Sequence, residues 1–136
     1  MKKFFIVLLL LTQTLVSHAK GREEIFGILP PNDPIIIKQG SQVFTSQYGF
    51  SIRLDSVFDS RCPKDVKCFL AGDVRIKFVF ISNKGKKTNF VLNTLKSKSV
   101  LINGYKISLL NLRPYPTTKY LIQQKDYEAE IVIQKK

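Results

Sequence analysis

Apolar and polar residues alternate with a period of two along most of this 136-residue chain, the spacing at which successive strand side chains point to opposite faces of a sheet. Phe50, Ile52, Leu54 and Phe58 fall on one side of the first long run, with Ser51, Arg53 and Asp55 on the other. A second run sets Val74, Ile76, Phe78 and Phe80 against Arg75 and Lys77, while Val79 and Ile81 predict that its far end is covered on both faces. Ser82-Asn83-Lys84-Gly85-Lys86 reads as a hairpin connection to a strand carrying Phe90, Leu92 and Thr94, so this pair is expected to be antiparallel. Asn103-Gly104, between Val100 to Ile102 and Tyr105 to Leu109, is the strongest short hairpin signal, because both turn positions need positive φ and Asn-Gly accepts it. Tyr127, Ala129, Ile131 and Ile133 alternate with Glu128, Glu130 and Gln134 in a closing strand.

Breakers divide these runs. Pro30, Pro31 and Pro34 remove backbone donors and mark residues 20–34 as an extended leader segment. Ile35-Ile36-Ile37 suits an edge strand, and Gly40-Ser41-Gln42 a turn. Arg113-Pro114-Tyr115-Pro116-Thr117-Thr118 cannot occupy a central strand and must be a loop. Turn signals roughly every 8–12 residues, with no helical period and no internal repeat, predict an all-β single domain over residues 20–136. Six to eight short strands suit a small antiparallel β-sandwich, immunoglobulin-like in class; a small β-barrel is the alternative.

The first 19 residues break the pattern. Met1-Lys2-Lys3 precedes an unbroken apolar run from Phe4 to Leu11, and Val16-Ser17-His18-Ala19 offers small residues where a signal peptidase reads. The run is well short of the ~20 residues that span a bilayer, so residues 1–19 read as a secretory signal cleaved after Ala19. No cysteine follows the run to carry a lipid. The expectation is an exported protein, periplasmic or secreted, monomeric and with no membrane span after cleavage. Cleavage removes His18 and Met1, the only histidine and methionine, and lowers the net charge from +12 to +10 through the loss of Lys2 and Lys3.

That inventory narrows the chemistry. Without histidine there is no Ser-His or Cys-His nucleophilic pair, and no pair of carboxylates stands out as acid and base. The expectation is a non-catalytic protein without cofactor, a binding module or an envelope-associated structural one. Cys62 and Cys68 are the only cysteines, and in an oxidising compartment they are expected to form a disulfide. So small a ring contributes about 2 kcal/mol by the chain-entropy relation. The alternatives fit worse: a redox pair wants C-x-x-C at a helix start, and two thiolates without histidine leave a zinc or copper site short of ligands. Asp55, Asp59, Asp65 and Asp73 surround the ring, and pairing with Arg61, Lys64 and Lys67 or capping of turns is expected of them. Pro63 pre-sets a turn in the ring, and Gly72 marks an unusual backbone angle or a close approach.

The run D-S-R-C-P, four residues, then C-x-x-A-G, from Asp59 to Gly72, resembles the signature of a family of small exported bacterial proteins, often lipoproteins. The likeness extends to Leu92-Asn93-Thr94, the Tyr105 to Leu112 strand, the loop at Arg113 to Pro116 and Asp126-Tyr127; the tryptophan common before the Ala-Gly in that family is Leu70 here. The resemblance implies a compact β domain and supplies no catalytic residue.

Two surface features remain as candidate binding sites. Arg75, Lys77, Lys84, Lys86, Lys87, Lys96 and Lys98 could together bind a polyanion such as lipopolysaccharide or an anionic glycan. Nucleic acid is disfavoured, because the aromatics fall on inward positions and not among the lysines. The loop Pro114, Tyr115, Pro116, Thr117 and Thr118 is a candidate peptide-binding loop. Its Pro-Thr-Thr is similar to a loop of chagasin-type cysteine protease inhibitors, although the glycine that follows there is Lys119 here. The physiological partner is expected in the envelope or outside the cell.

Overall fold

The computed structural model describes residues 32–136; the expected signal, residues 1–19, and most of the leader, residues 20–31, lie outside the described residues. Eight strands follow in order: β1 (Ile35–Lys38), β2 (Gln42–Thr45), β3 (Phe50–Asp59), β4 (Val74–Ile81), β5 (Lys87–Asn93), β6 (Ser99–Ile102), β7 (Tyr105–Arg113) and β8 (Glu128–Lys135). The helical content among the described residues is a single 3₁₀ turn, Gln124–Asp126.

Two four-stranded antiparallel sheets, β1-β8-β7-β6 and β2-β3-β4-β5, face each other as a sandwich. The second is a plain meander; the first is completed when the opening strand pairs with the closing one, Ile35 opposite Ile131. At the β1–β2 corner the sheets touch through a parallel bridge between Gln39 and Leu54. Gly40, at φ 78°, makes the turn there and donates its N–H to the Leu54 carbonyl at 2.8 Å.

The core forms where the period of two places it. Ile52, Leu54, Ile76, Phe78, Phe80 and Leu92 from one sheet meet Ile37, Ile107, Ala129, Ile131 and Ile133 from the other, all essentially inaccessible to water. Asn103 and Gly104 adopt φ of 48° and 78° in the β6–β7 hairpin, as Asn-Gly requires. Gly85, at φ 77°, turns the β4–β5 hairpin. Val79 is buried and Ile81 half-buried, so the end of β4 is covered on both faces.

Alternation fails in β3, where the register shifts between Leu54 and Ser56. A β-bulge adds one residue and moves every later side chain to the other face. Val57 is therefore buried at 5% exposure, and Phe58, expected inside, stands out at 58%. Outside, the Phe58 ring receives the Arg75 guanidinium at 4.5 Å. A second shift between Leu109 and Asn111 in β7 likewise turns Asn111 outward and buries Leu112.

The bulge inverts the usual cost of truncation by size. Val57→Ala is expected to lose about 1.5–3 kcal/mol, whereas Phe58→Ala loses about 1 kcal/mol or less, the worth of an exposed cation–π contact. Urea unfolding midpoints of the two variants check this, and equal losses would contradict the shifted register.

Candidate functional site

The residues from Asp59 to Asp73 connect β3 to β4, and each distinctive residue of the run has an identifiable task. The Asp59 carboxylate accepts from the Arg61 backbone N–H at 3.0 Å, closing a local turn. It also takes Arg61 Nε at 2.9 Å and Nη2 at 2.7 Å, a two-pronged pair with side chains only 3% and 9% exposed. Ser60 extends the β3–β4 ladder: its N–H reaches the Asp73 carbonyl at 2.9 Å, and its hydroxyl donates to the same carbonyl and accepts from the Asp73 N–H. Cys62 and Cys68 are disulfide-bonded with Cα atoms 5.9 Å apart. Inside the ring, Val66 N–H returns to the Pro63 carbonyl at 3.3 Å.

Gly72 is explained by close approach alone. A Cβ there would lie 1.6 Å from the backbone oxygen of Ser60, so no larger residue fits unless the ladder opens.

Arg61 does more than close its own turn. Its Nη1 donates to the Leu112 carbonyl at 3.0 Å and its Nη2 to the Pro114 carbonyl at 2.9 Å, both at the end of β7 in the opposite sheet. The Tyr115 ring covers the guanidinium at 4.5 Å. The Arg113–Pro114 peptide is cis. Two further ties join the loops: the Lys64 N–H donates to the Pro116 carbonyl at 3.0 Å, and Thr118 donates its hydroxyl and N–H to Asp65 at 2.6 and 3.0 Å. The disulfide-closed loop and the proline loop are thus one composite surface at one end of the sandwich.

The sheets are tied together beneath it. Tyr127, just before β8, donates its hydroxyl to Asp59 Oδ2 at 3.2 Å. Gln124 bonds Val57 in both directions, accepting its N–H at 3.1 Å and donating to its carbonyl at 2.7 Å. Burial, and after it the negative charge of Asp59, pushes the Tyr127 hydroxyl up from its ordinary 10 to about 12. Thr118, by its hydroxyl first and its N–H second, holds the Asp65 carboxyl below the usual range. Burial pushes the Asp73 carboxyl up, but the Thr94 hydroxyl and the N–H groups of Val74, Thr94 and Leu95 together pull it below its ordinary value.

Of the pairings expected with Arg61, Lys64 and Lys67 only one forms, while Asp65 and Asp73 take the other expected role and accept backbone N–H groups, of Thr118 and of Val74 and Thr94. Asp59 does pair with Arg61. Asp55 lies on the outer face of β3 and pairs with Arg53 and Lys77, while Asp65 and Asp73 bind threonines from distant loops instead of the neighbouring lysines. Sequence separation hides such partners: Asp65 and Thr118 are 53 residues apart.

The seven basic residues do not converge. Lys84, Lys86 and Lys87 lie at the β4–β5 hairpin; Lys96 and Lys98 lie beyond Asn93, which pairs with Arg75 at the opposite end of β4. The length of that strand, roughly 25 Å, separates the groups. Arg75, at the Asn93 end, is engaged by Phe58, and Lys77 two residues on by Asp55 at 3.4 Å. The loop from Pro114 to Thr118 is held by its own carbonyls, the Tyr115 ring and the Thr118 hydroxyl.

Periodicity alone missed the residues exposed beside these ties: Val66, Phe69 and Leu70 on one loop, Tyr120 and Leu121 on the other. The available signal was apolar residues inside segments already read as loops. Among the described residues no group of three or more His, Cys, Asp or Glu could hold a metal ion, and no helix is long and apolar enough to cross a membrane. No family model matches the chain, and no curated protein or solved structure matches it significantly.

Arg61, more than the disulfide, is expected to hold this end together. Arg61→Ala strands the Asp59 carboxylate and should cost about 3–5 kcal/mol, against about 2 kcal/mol for the double change of Cys62 and Cys68 to Ser. Equilibrium urea unfolding ranks them; the reverse order would refute the assignment. Because the folded state raises the Tyr127 pKa, the stability it confers is complete below pH 10 and is lost as pH rises toward 12. Tyr127→Phe should flatten that alkaline decline relative to the parent chain when unfolding midpoints are compared across the interval.

Proposed function

We propose that this chain is an exported, non-catalytic binding module whose binding surface is the composite loop end of the sandwich. The observation that carries this reading is the division of labour within the two loops. Their polar groups are bonded to each other through Arg61, Asp59, Asp65 and Thr118, while Phe69, Leu70 and Leu121 face water. Apolar side chains displayed on a braced framework suit recognition, because little order remains to be imposed on docking. The disulfide is compatible with the oxidising compartment that export implies.

The two alternative readings draw less support. A polyanion site would join lysines that lie at opposite ends of β4. The Pro-Thr-Thr loop of the inhibitor reading has its Thr118 hydroxyl engaged by Asp65 at 2.6 Å, and its next residue is Lys119 in place of the glycine of that similarity.

A sedimentation assay with envelope membranes and their proteins separates these readings. Retention should fall at least about tenfold on changing Phe69 and Leu121 together to Ser, given the apolar area removed. It should persist on changing Lys84, Lys86 and Lys87 to Glu. The opposite pattern would favour the polyanion reading, and equal retention of all three proteins would remove the loop end from consideration.

A further inference from the structure

The chemistry of the loop end narrows the class of partner. Three connections meet there, and each carries a strongly exposed apolar residue within two positions of a lysine. Phe69, 104% exposed, follows Lys67; Leu121, 90% exposed, follows Lys119; and Leu95, 60% exposed, precedes Lys96. Leu70 and Tyr120 extend the first two pairs. The loops are fixed by the Asp65–Thr118 and Lys64–Pro116 bonds, and the third by Asp73, whose carboxylate accepts the Thr94 hydroxyl at 2.7 Å and its N–H at 3.1 Å. Asp59 is buried, while Asp65 and Asp73 each accept bonds from a threonine. Lys64, Lys67, Lys96, Lys98 and Lys119 are all exposed.

We propose that this end docks on an anionic lipid surface, with Phe69, Leu70, Leu95 and Leu121 entering the boundary between headgroups and acyl chains and the neighbouring lysines meeting lipid phosphates. The inference rests on the loop end being the binding surface and names its partner. Two physical arguments favour lipid over protein. The cores of protein interfaces are depleted in lysine and favour arginine, whereas a membrane boundary accepts lysine readily, since its stem packs on apolar neighbours while the ammonium reaches the phosphates. Large apolar groups at the tips of projecting loops can also enter a fluid boundary without a complementary groove. The positive balance of the chain, +10 once the expected signal with Lys2 and Lys3 is removed, draws it toward an anionic leaflet.

Flotation with lipid vesicles tests the proposal, using protein recovered after export, with its N-terminus established by sequencing. All variants then share the same N-terminus, so differences among them report the loops. The parent chain should float with vesicles of equal phosphatidylglycerol and phosphatidylcholine, and weakly or not at all with phosphatidylcholine alone. Changing Phe69 and Leu121 to Ser should weaken flotation about tenfold or more, with the thermal transition unchanged because both side chains are exposed. Changing Lys64, Lys67 and Lys119 to Gln should weaken it by a similar factor and reduce its sensitivity to salt. Flotation that ignores the Ser changes overturns the proposal, as does failure to float at all. If the parent fails to float yet the Ser changes still abolish retention by envelope material, the partner is a protein, and the loop-end reading stands without the lipid. Retention by immobilised heparin that depends on the lysines and ignores the Ser changes, without flotation, marks a polyanion site and sinks the lipid assignment.

Discussion

The buried pair of Asp59 and Arg61 is the constraint on which the loop end of this sandwich depends. Two charges removed from water carry a desolvation cost that their mutual attraction does not reliably offset. Here four of the five guanidinium N–H groups are bonded, two to the Asp59 carboxylate and two to the carbonyls of Leu112 and Pro114, and the ring of Tyr115 covers the face. A planar fork of fixed donors can meet these partners at once, and a lysine ammonium cannot. Asp59 ends β3 in one sheet, while Leu112 lies in β7 of the other, so the pair joins the two layers where their strands run out.

Two bulges set this junction up. The shift after Leu54 turns the last part of β3 over, so that Val57 closes the core and Phe58 moves outside to meet Arg75. The shift after Leu109 does the same in β7, burying Leu112. The Leu112 and Pro114 carbonyls lie beyond that shift and accept from Arg61. Bulges commonly re-aim strand ends beside functional surfaces. The opposite end is built by packing instead: Tyr48, Phe50, Phe80 and Tyr105 form an aromatic cluster with ring centroids 4.6 to 5.8 Å apart.

The disulfide takes a smaller part than its conspicuousness in the sequence suggests. It closes a short ring whose residues are mostly exposed, and it shapes the loop without joining the sheets. Arg61, Tyr127 and Gln124 join them, through partners 51 to 68 residues away in the chain. Cysteine pairs announce themselves in a sequence because they have few other uses in an oxidising compartment. An arginine bound to distant carbonyls carries no such mark.

The all-β class, the Asn103-Gly104 hairpin, the closing strand and the core of β4 were determined by the sequence alone, because each follows from local rules: a period of two, or a turn that few residues tolerate. The pairing of Cys62 with Cys68 was equally legible, there being no other partner. Tertiary structure decided the rest. It decided that the phase of β3 slips at Asp55, since a bulge inserts a residue without changing composition. It also decided that Asp65 serves Thr118, that the basic residues are scattered, and that the disulfide-closed loop and the proline loop form a single surface. These outcomes depend on which chain ends meet across two packed sheets, and no periodicity within one strand carries that information.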